Sequence, residues 1–156
     1  MNIRRARQED IPRIMDLLLQ VCMIHHQGRP DLFKPMSRKY TAEQLAGIIA
    51  DDKRPVFVAA DSSGKVQGYA FCVFVSHAGD NMLTDIRTLY IDDLCVDENM
   101  RGKHIGKALF GAVKDYAREN GCYNLTLNVW SCNTPAMKFY ESCGLKPQKT
   151  GMETIL

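Results

Sequence analysis

A chain of 156 residues is long enough for one domain with a real core and too short for two; 46% apolar and 24% charged residues exclude a disordered or fibrous chain. A formal charge of +2 with no isolated basic cluster excludes the electrostatic footprint of a nucleic-acid binder. No stretch has the apolar length of a signal peptide core or a membrane span, so a cytoplasmic protein with no membrane partner is expected, residues 1–156 forming a single domain.

Asn2 to Arg7 reads as a first strand. Gln8-Glu9-Asp10 and Pro12 are helix-start residues, and Ile11, Ile14, Met15, Leu18, Leu19 and Cys22 recur at helical spacing, which predicts a helix over residues 9–24. His25 to Lys39 reads as an irregular loop around Leu32 and Phe33 because Gly28, Pro30 and Pro35 interrupt it. Thr41 and Gln44 form a capping-box pattern ahead of Leu45, Ile48 and Ile49, so a second helix should run to about Asp51. Val56–Ala60 and Val66–Val75 read as strands joined by the turn Asp61-Ser62-Ser63-Gly64-Lys65, with Gly68 marking a bulge or a close approach. After a turn at Gly79-Asp80-Asn81, Ile86 to Val96 is the next strand.

Between Val96 and Ile105 the apolar period changes from that of a strand to that of a helix, continued by Ala108, Leu109, Ala112, Val113, Tyr116 and Ala117. Gly102 and Gly106 bracket the junction, where free N–H groups of a helix start make an anion site, with Lys103 and Lys107 adding positive charge. The spacing is neither that of a nucleoside-triphosphate loop nor the Gly-x-Gly-x-x-Gly of dinucleotide folds. Gly121 should stop this helix; Tyr123 to Trp130 alternates as a strand; Asn133 or Thr134 caps a last helix with Pro135 in its first turn, closed by Gly144. Leu145 to Leu156 should return as one or two strands. Six scattered cysteines without a Cys-x-x-Cys pair suit reduced thiols, and His25, His26, His77 and His104 show no ligand spacing, so no metal is expected.

The run from Val96 to Leu109 resembles the acetyl-CoA-binding motif of the GNAT superfamily of N-acetyltransferases, Arg/Gln-x-x-Gly-x-Gly/Ala, with Arg101, Gly102 and Gly106 in place and His104 where the family commonly has glycine. Asn133 to Leu145 resembles the family's Asn-x-x-Ala-x-x-Phe-Tyr-x-x-x-Gly-Phe, with Leu145 replacing the final Phe. The resemblance covers most of the chain and implies a mixed α/β (α+β) fold, a central, mostly antiparallel sheet with a splayed strand pair flanked by helices. It also implies acetyl-CoA as the acyl donor, its diphosphate held by Arg101, Gly102, Lys103, His104, Ile105, Gly106, Lys107 and Ala108, and its pantetheine arm hydrogen-bonded to the backbone of Leu94, Cys95 and Val96.

Amine attack on a thioester needs a proton acceptor, a stabilised oxyanion and a protonated leaving thiolate. The resemblance assigns Tyr140 as general acid, Asn133 as a contact of the cofactor or an ordered water, and a backbone N–H of Leu94 or Cys95 as oxyanion donor. Tyr90-Ile91-Asp92-Asp93-Leu94 resembles the Tyr-Leu-Glu-Asp-Leu of spermidine/spermine acetyltransferases, which favours Asp92 over Asp93 as base. Alternation puts the two on opposite faces unless a bulge intervenes. The plain alternatives are a half-buried helix tyrosine at 140, a solvated strand end at Asp92 and Asp93, packing thiols at Cys95 and Cys132, and an exposed loop histidine at 104. His25 to Lys34 resembles the His-x-x-x-Arg-Pro-Asp-x-Phe of bacterial enzymes grouped with those that modify ribosomal protein amino termini. The expected partner is an amine-bearing small molecule or a peptide or protein N-terminus, with homodimer formation left open. The rival reading is a non-catalytic acyl-CoA-binding or sensing module of the same fold.

Overall fold

The computed structural model describes all residues 1–156. Five strands form one sheet in the order β1-β2-β3-β4-β5: β1 (Asn2–Arg5), β2 (Val56–Ala60), β3 (Val66–Val75), β4 (Thr88–Val96) and β5 (Asn124–Leu127). Neighbours are antiparallel except β4 and β5, which run parallel. Helices α1 (Ile11–Gly28) and α2 (Ala42–Ile49) cover one face of the sheet. Helix α3 (Ile105–Glu119) covers the other, with α4 (Thr134–Ser142) beside it. This is the mixed architecture that the periodicities and the resemblance imply.

Each face is sealed by most of the stripe that predicted its helix, with Leu17 and Phe110 joining the buried set while Leu19 stays half-buried and Ala108 exposed. Ile14, Leu17 and Leu18 of α1 are fully buried with Leu45 of α2 against Val58, Tyr69 and Phe71. Ile105, Leu109, Phe110 and Val113 of α3 meet Phe57, Ala59, Ala70, Leu89 and Ile91. Full burial of each such side chain stabilises the fold by about 1.5–3 kcal/mol. The capping box of α2 forms as the sequence predicts: Thr41 Oγ1 accepts from Gln44 N at 3.1 Å and Gln44 Oε1 from Thr41 N at 2.9 Å. Gly68 marks both a bulge and a close approach. The register with β2 skips Gln67, and a Cβ on Gly68 would lie 2.7 Å from the Cys95 carbonyl oxygen of β4.

Several boundaries differ from expectation. The first strand stops at Arg5, and α1 continues to Gly28 because nothing before the glycine interrupts helical hydrogen bonding, so His25 and His26 are helical. β4 begins at Thr88, and β5 ends at Leu127, three residues before Trp130. The return strands expected in 145–156 do not form. Pro147 has no N–H to give a ladder, and Leu145, Met152, Ile155 and Leu156 do not alternate, so no apolar face would be buried by pairing.

Candidate active site

β4 and β5 pair only from Thr88↔Asn124 to Ile91↔Leu127. Beyond that point β4 continues to Val96 along β3 while β5 has ended, so the edge of Asp92, Asp93, Leu94, Cys95 and Val96 that faces away from β3 has no strand partner. A cleft of 2160 Å³ opens there and runs between β4, the start of α3, α4 and residues 128–153. Unpaired strand backbone at its wall can pair with an extended amide-containing chain, as an added strand would.

At one end of the cleft the chain turns from β4 into α3. Gly102 (φ +77°) and His104 (φ +60°) both occupy the left-handed region, and the N–H groups of Ile105, Gly106 and Lys107 have no backbone acceptor. Successive outward N–H groups at the start of a 15-residue helix form a concave anion site. These residues fit a diphosphate. Arg101, Gly102, His104, Ile105, Gly106 and Lys107 line the cleft, but Lys103 and Ala108 do not. Lys103 turns its ammonium to Met100 Sδ at 3.4 Å, and the Ala108 N–H is already donated to the His104 carbonyl at 3.0 Å. The absent side chain at Gly106 also has a packing reason that the sequence did not disclose, since a Cβ there would stand 3.2 Å from the Phe139 ring of α4.

The two aspartates sit at a second bulge. Phe71 pairs with Asp93 and Cys72 with Ile91, so Asp92 is the extra residue of β4. The bulge undoes the alternation, and both carboxylates bond tyrosines of the α1/α2 face. Asp92 is held on both oxygens, by Lys39 Nζ at 2.8 Å and Tyr40 Oη at 2.6 Å. Asp93 Oδ2 accepts from the fully buried Tyr69 hydroxyl at 2.8 Å, while no side chain donates to Oδ1, the Leu94 backbone N–H lies close enough to favour the charged carboxylate, and Asp93 lines the cleft. Burial pushes the Asp93 carboxyl up to about 6, the neighbouring Asp92 adding to the rise, against the Tyr69 hydrogen bond and Lys39. Lys39, Tyr40 and Tyr69 were not singled out from sequence. Tyr40 and Lys39 directly precede the Thr41 cap, a position that reads only as a loop end.

Tyr140 comes from α4, which Asn133 caps by accepting the Ala136 N–H at 3.2 Å. Its hydroxyl has no hydrogen-bond partner in the protein; burial, then the Asp93 charge, hold it above the ordinary phenol range. A neutral phenol therefore faces the same cleft as a carboxylate of raised proton affinity. Cys95 is buried, its thiol pushed up to about 12 by burial and then by Asp93, so it is no nucleophile at neutral pH. Cys132 is exposed. The site is braced from α1: Arg13 pairs with the buried Asp97 at the end of β4, whose oxygens also take the Asn99 N–H at 2.9 Å and Gln20 Nε2 at 3.4 Å.

The acetyltransferase (GNAT) family profile matches residues 18–145, which includes the splayed edge, the left-handed turn and Tyr140. Streptothricin acetyltransferase of Streptomyces lavendulae is 36% identical over 88 residues, 56% of this chain and 42% of that protein. A probable glucosamine 6-phosphate N-acetyltransferase of Drosophila melanogaster is 39% identical over 146 residues, 92% of this chain and 60% of that protein. The chain thus spans between two and three fifths of the length of these two curated relatives. The crystal structure of a mutant of the BH1408 protein of Bacillus halodurans superposes with a TM-score of 0.95 at 31% identity, covering 100% of this chain and 99% of that one.

Proposed function

The chain belongs to the acetyltransferase (GNAT) family, and from that premise we propose that it moves the acetyl group of acetyl-CoA to a primary amine, by direct attack in a ternary complex, with Asp93 as proton acceptor and Tyr140 as proton donor. Acetyl-CoA, when bound, supplies an acetyl group activated as a thioester. The free N–H groups of Ile105, Gly106 and Lys107, with Arg101 beside them, would hold its diphosphate, and the unpaired backbone of Leu94, Cys95 and Val96 its pantetheine arm.

The observation that carries the reading is the bulge at Asp92, which brings both carboxylates to one face and leaves Asp93 Oδ1 without a side-chain donor in the cleft that Tyr140 enters. Asp93 Oδ1 takes the proton that the amine nitrogen sheds as its bond to the acetyl carbon forms. A backbone N–H of Leu94 or Cys95 meets the charge developing on the carbonyl oxygen. As the carbon–sulfur bond breaks, the Tyr140 hydroxyl gives its proton to the departing sulfur and is then recharged from solvent. The sequence motif favoured Asp92 as base; the Lys39 and Tyr40 clamp on Asp92 favours giving that role to Asp93 and leaves Asp92 to fix the bulge.

The test is calorimetry with acetyl-CoA followed by thiol release with a panel of amines. Wild-type turnover should rise as pH passes about 6, where Asp93 ionises. Tyr140→Phe should keep acetyl-CoA affinity and lose turnover by about a hundredfold, the usual scale for a general acid. Asp93→Asn should lose more turnover than Asp92→Asn; the reverse order would return the base to Asp92. Acetyl-CoA binding with no amine-dependent release would make the protein an acyl-CoA-sensing module.

A further inference from the structure

Where α1 and the loop after it meet residues 128–133, three rings from different parts of the chain pack in series. His25 of α1 lies 4.9 Å from Phe33, and Phe33 meets the edge of Trp130 at 5.3 Å and 88°. Phe33 is fixed from behind, because its carbonyl oxygen bonds the His26 ring at 2.7 Å. All three rings line the cleft, and Trp130 is 42% exposed, so aromatic surface remains open. The wall leads to the carboxylates: Lys39 is near enough to His25 to lower its proton affinity, after burial, and the same ammonium pairs with Asp92 beside Asp93.

The charges around this wall are already matched. Arg29 is shared by Asp31 and Glu153, and Lys39 is taken by Asp92. The remaining cations lining this side, Arg38, Lys146 and Lys149, are exposed and belong to separate segments, and Arg38 directs Nε to the Met15 carbonyl at 2.9 Å. No preformed fork awaits a phosphate, and Asp92, Asp31 and Glu153 are each paired, which leaves the exposed Glu141 of α4 as the one other unpaired carboxylate on the cleft. What stands open is an aromatic corner, with the Phe33 and Trp130 rings at 88° to each other, in the same cleft that Asp93 lines.

We propose, resting on the acetyltransferase reading, that the acceptor is a small primary amine carried on an aromatic body, its ring seated against Phe33 and Trp130 and its nitrogen at Asp93. Phe33 and Trp130 are then the residues that set specificity. They pack against the ring that distinguishes the acceptor from a sugar phosphate or a polyamine, and take no part in proton transfer.

The experiment is thiol release at saturating acetyl-CoA with phenethylamine, butylamine, glucosamine 6-phosphate and spermidine. Phenethylamine and butylamine share the same nucleophile and differ in the ring, so the ratio of their kcat/KM values reads the wall alone. That ratio should be about tenfold or more in the wild type, the scale of a well-placed ring contact. It should fall toward one in Trp130→Ala and in Phe33→Ala through KM, with acetyl-CoA affinity retained. Phe33→Leu, which keeps apolar bulk, checks that the loss comes from the ring and not from a misfolded loop. A wild-type ratio near one, or a preference for glucosamine 6-phosphate or spermidine, overturns the proposal and leaves the acetyltransferase reading standing. Absence of release with every amine overturns that reading and the acceptor proposal together.

Discussion

Asp93 binds its proton more tightly in the folded chain than in an unfolded one, since burial pushes the carboxyl from its ordinary 3.8 up to about 6. A carboxyl raised on folding favours the fold fully at low pH, and that favour is lost as pH rises from the unfolded value through the folded one. Above about pH 6 the ionised group therefore costs the fold on the order of 3 kcal/mol. Asp93→Asn should remove the cost and still accept from the Tyr69 hydroxyl. Urea titrations should show the variant more stable than wild type at mildly alkaline pH and about equal to it near pH 4, while its turnover is lost. Equal stability at both pH values would mean that the carboxyl is solvated in the fold. At this scale the sequence was only partly legible. It gave the adjacent pair Asp92 and Asp93 and the motif position of Tyr140. It could not give the bulge that turns both acids to one face, because that irregularity is set by the β3 partners Phe71 and Cys72, some twenty residues away.

Among the elements, the turn joining β4 to α3 carries the clearest departure from local preference. His104 sits at φ +60° and ψ +10° with no side-chain hydrogen bond, at a position where its resemblance to related sequences implies glycine. A side chain in the left-handed region costs roughly 1 kcal/mol, which histidine tolerates better than a branched residue. His104→Gly should therefore stabilise the domain by up to about 1 kcal/mol in urea unfolding, less what the extra freedom of the unfolded chain takes back. Acetyl-CoA affinity should be kept or improved. A loss of stability would show that the imidazole makes contacts worth more than the strain. The helices and central strands were legible because their apolar periods are clear, and α2 and α4 also carry the side-chain caps Thr41 and Asn133. The segment after Leu145 was not legible: neighbouring strands suggested pairing, but its few apolar residues have no common face and Pro147 lacks a donor.

For the molecule as a whole, the two walls of the cleft differ in how firmly they are built. One wall, β4 with α3, lies across the buried layers, with Leu89, Ile91, Leu109 and Val113 almost wholly withdrawn from water. The other rests on four residue pairs between β4 and β5 and on α4, none of whose residues is buried. The loop between α1 and α2 is tied to the first wall through Lys39 and Tyr40, and to the segment after α4 through Arg29 and Glu153. The early end of β5 thus does more than open a cleft, because it leaves residues 124–156 as a unit whose local opening needs less free energy than global unfolding. In native-state hydrogen exchange, amides of β5 and α4 should exchange well ahead of those in β3 and α3. Saturating acetyl-CoA, bridging both walls, should slow exchange in β5 and α4 far more than in the already slow core. Uniform protection across the sheet without ligand would contradict this. The same gap that admits a ligand then makes its binding a fastening event, in which the less stable C-terminal fifth of the chain borrows its cohesion from whatever occupies the cleft.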